Sequence, residues 1–132
     1  MVCKVLFYDL KNSEKPFFKV NPENFDIKIF SKSLNRKTVN ELSEKQLKET
    51  SALNVFTPSL LSSEVINKFS NLRVIVVRSK NIKHVDLKTC LDRNIALVSA
   101  AENQSENDLQ IVAQSFRMIT DVLCGCKECR II

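Results

Sequence analysis

The sequence predicts an α/β fold built on a parallel sheet covered on both faces. Apolar runs of strand length alternate along the chain with amphipathic runs of helical length, and five of the former can be counted. The 132 residues make one domain, long enough to bury roughly two thirds of the surface of the unfolded chain.

The elements follow in order. "KVLFYDL", Lys4 to Leu10, is a first strand. Its surroundings, "MVCKVLFYDLK", carry Asp9 and no small-residue cleavage site, so this is not a signal peptide. "DIKIF", Asp26 to Phe30, is a second strand. "VNELSEKQLKET", Val39 to Thr50, is expected to be one helix with Val39, Leu42 and Leu47 near one face. "LNVF", Leu53 to Phe56, is a short buried strand ended by Thr57 and Pro58. "SLLSSEVINKF" is a helix with Leu61, Val65, Ile66 and Phe69 inward, and "LRVIVV" a fourth strand. After the loop "VRSKNIKHVD", Asp86 is the expected N-cap of a helix over "VDLKTCLDRN". "IALVS", Ile95 to Ser99, is the fifth strand. The last helix has Ser105 and Asp108 in a capping-box spacing and a stripe of Leu109, Val112, Ala113, Phe116, Ile119 and Leu123. With right-handed crossovers, five such strands give a flavodoxin-like three-layer fold.

Composition narrows function. The chain is 44% hydrophobic and 27% charged, ordinary for a globular protein, and no apolar run reaches the length of a membrane span. The location expected is the cytoplasm. A formal charge of +5 raises the question of nucleic acid, but acids are interleaved with the bases in "NSEKPFFK", "ELSEKQLKE" and "LKTCLDR", which reads as solvated faces and argues against a phosphate-tracking stripe. Phe17, Phe18, Phe25 and Phe30 are expected in the core, because the interleaved Arg and Lys pattern of RNA-binding sheets is missing.

There is a single glycine, Gly125. Dinucleotide and nucleotide phosphate loops need several, so this chain writes no such site. Its turns are expected from "KNSEKP", "NPEN" and "FTPS". One glycine also excludes a G-x-S-x-G elbow. Glu102, Glu106 and Asp108 sit in a loop and first helical turn, where the helix dipole accounts for them.

From "NVFTPSLLSSEVINKFSNLRVIVVRSKNIKHVDLKTCLDRNIALVSAA", Asn54 to Ala101, the chain resembles the D-isomer-specific 2-hydroxyacid dehydrogenases, in particular their D-lactate dehydrogenase branch. The opening "KVLFYDLKNSEKPFF" is similar too, and the resemblance runs over about residues 2–122. The most specific pieces are "LRVIVVRS", "HVDL" and "C..RNIALV". The resemblance implies the substrate-binding, or catalytic, half of such an enzyme. The partner half is a Rossmann domain that binds NAD and carries the catalytic arginine, acid and histidine, which have no counterparts here.

Against the family pattern "RS.GFDHIDL", two consecutive backbone N–H groups that receive the substrate carboxylate fall at Lys80 and Asn81. Asn81 stands where the family has glycine, and asparagine tolerates positive φ best among other residues. Ile82 and Lys83 replace a phenylalanine and an aspartate, while His84, Val85, Asp86 and Leu87 keep the pattern. The resemblance thus implies a vestigial substrate-binding loop of Arg78, Ser79, Lys80 and Asn81, supported by His84 and Asp86. Arg78 has a second reading as the partner of a neighbouring acid or carbonyl. A further departure is Ala101 in place of a proline, with Ala113 and Gln114 where the family has glutamate and histidine.

Residues 124–132 form a cysteine-rich tail after a domain over 1–123. Cys124, Cys126 and Cys129 are spaced for three thiolates on one soft metal ion, with Cys3, Cys90 or His84 as a fourth ligand; the other reading is a thiol-bearing tail with Gly125 as the helix C-cap. Five cysteines without a signal peptide imply reduced thiols.

Two functions are compatible with all this. One is a stand-alone, degenerate substrate domain, catalytically inactive, serving as a binding or interaction module for a 2-hydroxy or 2-oxo acid or for a protein. The other is a part of an NAD-dependent oxidoreductase acting on CH–OH groups, completed by a separate coenzyme-domain protein. The chain itself holds no cofactor; NAD enters only with such a partner. Self-association into a homo-oligomer is expected from the apolar stripe of the last helix.

Overall fold

The computed structural model describes residues 3–19, 25–101 and 107–123. Strands β1 (Cys3–Phe7), β2 (Phe25–Ile29), β3 (Ala52–Val55), β4 (Val74–Val77) and β5 (Ala96–Ser99) form one sheet in the order β2-β1-β3-β4-β5. Every neighbouring pair is parallel, with Val5 beside Ala52, Leu53 beside Ile75 and Ile75 beside Leu97. This is the flavodoxin-like order that the alternating pattern predicts.

All four residues of β3 and all four of β4 are buried, because strand side chains alternate between two covered faces. Leu6, Leu53, Val55, Ile75 and Val77 pack on one side with Val65, Ile66, Phe69 and Cys90. Val5, Phe7, Ala52, Val74 and Val76 pack on the other with Val112, Phe116, Ile119 and Leu123.

Helices α1 (Glu44–Glu49), α2 (Ser63–Ile66), α3 (Leu87–Asp92) and α4 (Asp108–Leu123) supply the covering layers, together with 3-10 segments at Asn12–Lys19 and Thr38–Glu41. The single helix expected over Val39 to Thr50 is in fact two pieces. Leu42 turns extended and Ser43 starts α1 in a capping box: its hydroxyl accepts from the Gln46 N–H at 3.1 Å, and the Gln46 side chain accepts from the Ser43 N–H at 2.9 Å. A serine followed three residues later by glutamine competes with helix continuation. Val39 and Leu42 are nevertheless buried and Leu47 packs against them.

Two further boundaries differ from the sequence reading. Leu61 precedes α2, in a parallel bridge with Val85, although it is fully buried as expected. In α4 the inward stripe begins at Val112 and includes the hydroxyl of Ser115, while Leu109 is 40% exposed and Ala113 is half-buried. The buried part of that stripe packs against the chain's own sheet. Ser105 lies outside the described residues; the α4 capping box seen is Asn107 with Gln110, each side chain accepting from the other's N–H at 2.9 Å. Asp86 sits at the N-cap of α3, but its carboxylate takes the Thr89 hydroxyl and no backbone N–H.

With glycine so scarce, left-handed backbone among the described residues falls to Asp9 (φ 62°) and Asn94 (φ 57°), short polar residues that tolerate it. Phe17, Phe18 and Phe25 gather around Phe116 with ring centroids 5.3, 6.1 and 5.4 Å away, and Phe30 stacks on Tyr8 at 4.5 Å. All four lie in packed clusters, as expected. No helix among the described residues is long and apolar enough to cross a membrane.

The Asn12–Lys19 segment is tied to α4 by more than rings. The Ser13 hydroxyl donates to Asp108 and the Lys11 ammonium lies 3.4 Å from it. The Ser13 hydrogen bond, helped by Lys11, holds the Asp108 carboxyl below its ordinary range. A carboxyl depressed in the folded state contributes stability above its unfolded pKa, and the contribution is lost as pH falls through the folded value. Asp108→Asn is therefore expected to lower the urea midpoint at pH 7 and to converge with the parent as pH drops below about 4; a difference independent of pH would contradict this.

Candidate functional site

The carboxyl ends of the strands converge where a doubly wound sheet keeps its ligand crevice, around the point between β1 and β3 from which the chain winds in both directions. Here that place is filled by the chain's own polar groups. Asp9, left-handed and 7% exposed, accepts hydrogen bonds from the Ser33 hydroxyl, from the Phe56 N–H at 3.0 Å and from the Ser59 hydroxyl at 2.6 Å. Ser59 in turn accepts from the Leu34 N–H at 2.9 Å. One carboxylate thus pins the loops that follow β2 and β3.

Arg78 follows the apolar strand β4, and its side chain turns inward. It is 2% exposed. Its Nε donates to Glu14 at 2.7 Å, Nη1 to Asn54 Oδ1 at 2.8 Å, and Nη2 to the carbonyls of Tyr8 and Asp9, both at 2.9 Å. The guanidinium also lies 4.0 Å from the Phe7 ring centroid, a cation–π contact. Glu14 is fully buried and also accepts from the Lys11 N–H at 2.8 Å. Asn54 passes the network on, donating to Ser115 of α4 at 2.8 Å. Burial pushes the guanidinium pKa down from its ordinary value, and the charges of Glu14, Asp9 and Asp108 push it back; arginine stays cationic throughout. Of the two readings of Arg78 the geometry fits the internal partner. The guanidinium is ringed by carbonyls and a carboxylate inside the core.

The rest of the loop does lie at the surface. The Ser79 carbonyl is anchored by the Ser99 hydroxyl at 2.7 Å. Lys80 and Asn81 are exposed. The Asn81 N–H donates to the Ser79 hydroxyl at 3.1 Å, and the Asn81 side chain accepts from the Lys83 N–H at 2.9 Å, an Asx turn. Positive φ is not used at Asn81. Of the two N–H groups aligned with carboxylate recognition, one already has a partner. The Lys80 N–H donates to no described residue.

His84 bridges two loops: Nδ1 lies 2.8 Å from the Ser59 carbonyl and Nε2 3.0 Å from the Asn81 carbonyl. Its own carbonyl accepts from the Leu61 N–H, and the Asp86 N–H donates to Leu61, both at 2.9 Å. This ring holds the loop to its neighbour. Asp86, its expected companion in support, acts through that backbone bond.

Among the described residues no group of three His, Cys, Asp or Glu side chains is placed to hold a metal. Cys124, Cys126 and Cys129 lie outside them. Cys90 is buried, which pushes its thiol pKa up, and His84 is committed to carbonyls.

The sequence reading passed over Asp9, Glu14 and Asn54. Glu14 sits in "NSEKPFFK" beside the exposed Lys15 and looks like one more solvated acid. The available signal is Arg78 itself, since an arginine directly after a wholly apolar strand requires a carboxylate from elsewhere in the chain.

The family model for the D-isomer specific 2-hydroxyacid dehydrogenase catalytic domain matches residues 5–107. No curated protein matches the sequence. Among solved structures the chain is similar to D-lactate dehydrogenase from Aquifex aeolicus complexed with NAD and lactic acid, with a TM-score of 0.63 and 23% identity over 94% of this chain and 36% of that one. It is also similar to apo D-lactate dehydrogenase from Escherichia coli (TM-score 0.58, 21% identity, 73% and 30% covered). A third is 3-phosphoglycerate dehydrogenase from Entamoeba histolytica with bound NAD+ (0.60, 11%, 76% and 33%). The chain spans about a third of the length of these structures, and likeness at such identity establishes the fold.

Replacing His84 with alanine removes the ring that lies between the Ser59 and Asn81 carbonyls without touching the sheet. The expected result is faster amide hydrogen exchange at residues 82–85 and a loss of about 1–2 kcal/mol in unfolding free energy; unchanged protection there would contradict the bridging role.

Proposed function

The chain belongs to the D-isomer specific 2-hydroxyacid dehydrogenase family through its catalytic domain, and on that premise we propose that it is a binding module for short 2-oxo or 2-hydroxy carboxylates that does not itself transfer hydride. The observation that carries the proposal is the division of labour in the Arg78 to His84 segment. Its arginine is withdrawn into the core, while the Lys80 N–H and the exposed Lys80 and Lys83 side chains remain at the rim. An N–H with no partner among the described residues, in a loop that carries two exposed lysines, suits a carboxylate. Ser79 and Asn81, fixed by Ser99 and by the Asx turn, set the direction of that N–H.

Hydride transfer asks for more. NAD, when bound by an enzyme, supplies the hydride acceptor or donor, and its pyrophosphate needs glycine turns at a helix N-terminus. The turn after β1 here is Tyr8-Asp9-Leu10-Lys11-Asn12, without glycine and with the buried carboxylates of Asp9 and Glu14 beneath it. Those residues do not fit a dinucleotide. His84, the sole histidine, has both ring nitrogens on carbonyls, so it is not poised to exchange a proton with a substrate.

A second reading has its own support. The chain covers about a third of relatives whose structures hold NAD, so a separately supplied coenzyme domain would complete an oxidoreductase for 2-hydroxy acids.

An amide NMR titration of the chain with pyruvate and with D-lactate, followed by NADH, separates these. Shifts confined to Ser79 through Lys83, saturating in the millimolar range, with NADH absorbance unchanged, are expected. Consumption of NADH in the presence of pyruvate by this chain alone would overturn the proposal. Turnover that appears only when a coenzyme-domain protein is added would favour the second reading.

A further inference from the structure

A separate cavity of about 610 Å³ opens beside the loop, on the face that carries α2 and α3. Leu60, Leu61 and Val85 are among its apolar lining, and Arg36, Lys37 and Lys83 stand among its polar residues. Its size falls within the range of small-molecule pockets.

We propose that this cavity is a binding site for a small amphiphilic carboxylate, an apolar chain or ring ending in one anionic group. The charges are unequal. Lys37 and Lys83 have no carboxylate within ion-pair distance among the described residues, and Arg36 is shared with Glu64 at 2.7 Å. The one acid of the lining, Asp86, already accepts from the Thr89 hydroxyl at 3.0 Å. The other acceptors at the rim are also engaged: the Asn35 side chain takes the N–H groups of Lys37 and Thr38, and the Ser62 hydroxyl takes that of Val65. What the cavity offers a ligand is therefore cationic donors above an apolar floor. Leu60, 60% exposed, gains most from being covered.

The floor is preformed. The Leu60 N–H donates to the Leu34 carbonyl, the Leu61 N–H to His84 and the Asp86 N–H to Leu61, each at 2.9 Å. These bonds fix the loops after β2, β3 and β4 to one another, so binding need order little backbone. This site is distinct from the Lys80 N–H: Lys80 is not among its lining residues.

The probe is 4-phenylbutyrate, with 4-phenylbutanol and 4-phenylbutylamine as neutral and cationic counterparts, each titrated into the whole chain and followed by amide NMR. The expected result is shifts at residues 35–37, 60–62 and 83–86, with the carboxylate bound about tenfold more tightly than the alcohol and the amine weakest. The affinity is expected to fall as salt rises from 0.05 to about 0.5 M. Lys37→Glu with Lys83→Glu should remove that preference while leaving the fold, because both side chains are exposed. Equal affinity for alcohol and carboxylate in the parent chain would overturn the proposal, as would carboxylate shifts confined to residues 79–81. The comparison of ligands on the parent chain stands even if the double variant does not fold.

Discussion

The structure depends on one buried cation. Arg78 directly follows strand β4, and its guanidinium reaches Glu14, Asn54 and the main chain of Tyr8 and Asp9. It thereby joins the loop after β1, the strand β3 and the Asn12–Lys19 segment, and through Asn54 and Ser115 it touches α4. Desolvating a guanidinium and a carboxylate is expensive, and the cost is recovered only where nearly every donor and acceptor has a partner. That condition fixes where Glu14 must lie. It also fills the crevice that a doubly wound sheet otherwise leaves for a ligand.

This network lies within the scaffold of the family's catalytic domain. Asp9 and His84 extend the same pattern outward, one holding the loops after β2 and β3, the other holding the loop after β4 to Ser59. At the rim of the same edge Lys80, Lys83 and Lys37 are exposed. Both proposed sites, the loop and the cavity beside it, use these rim cations.

Much of the fold was legible because burial on two faces imprints itself on a strand directly. "VIVV" and "ALNV" contain little else than residues that two covered faces demand. The helices were harder: the Val39 to Thr50 run has a helical period throughout, and only the Ser43–Gln46 pair, reciprocally bonded, shows why it breaks. Ala113 and Leu109 fit the α4 stripe by spacing but lie toward its solvent side, because the strip actually buried is centred on Val112, Phe116 and Ile119. At the edge, the sequence singled out the loop and His84, whose ring lies between the Ser59 and Asn81 carbonyls. It gave Arg78 two readings and could not name its partner, since Glu14 lies 64 residues away and only the packed sheet brings the two together.

The most direct measurement is a double-mutant cycle on unfolding free energy, with Arg78→Met, Glu14→Leu and the pair combined. If Arg78 and Glu14 are the internal keystone, each single change strands a buried charge and costs about 3–5 kcal/mol, and the double costs less than their sum by about 2 kcal/mol or more. Effects that add to within about 0.5 kcal/mol, or an Arg78→Met variant as stable as the parent, would mean that the guanidinium is not structural and would return Arg78 to the ligand side of the loop.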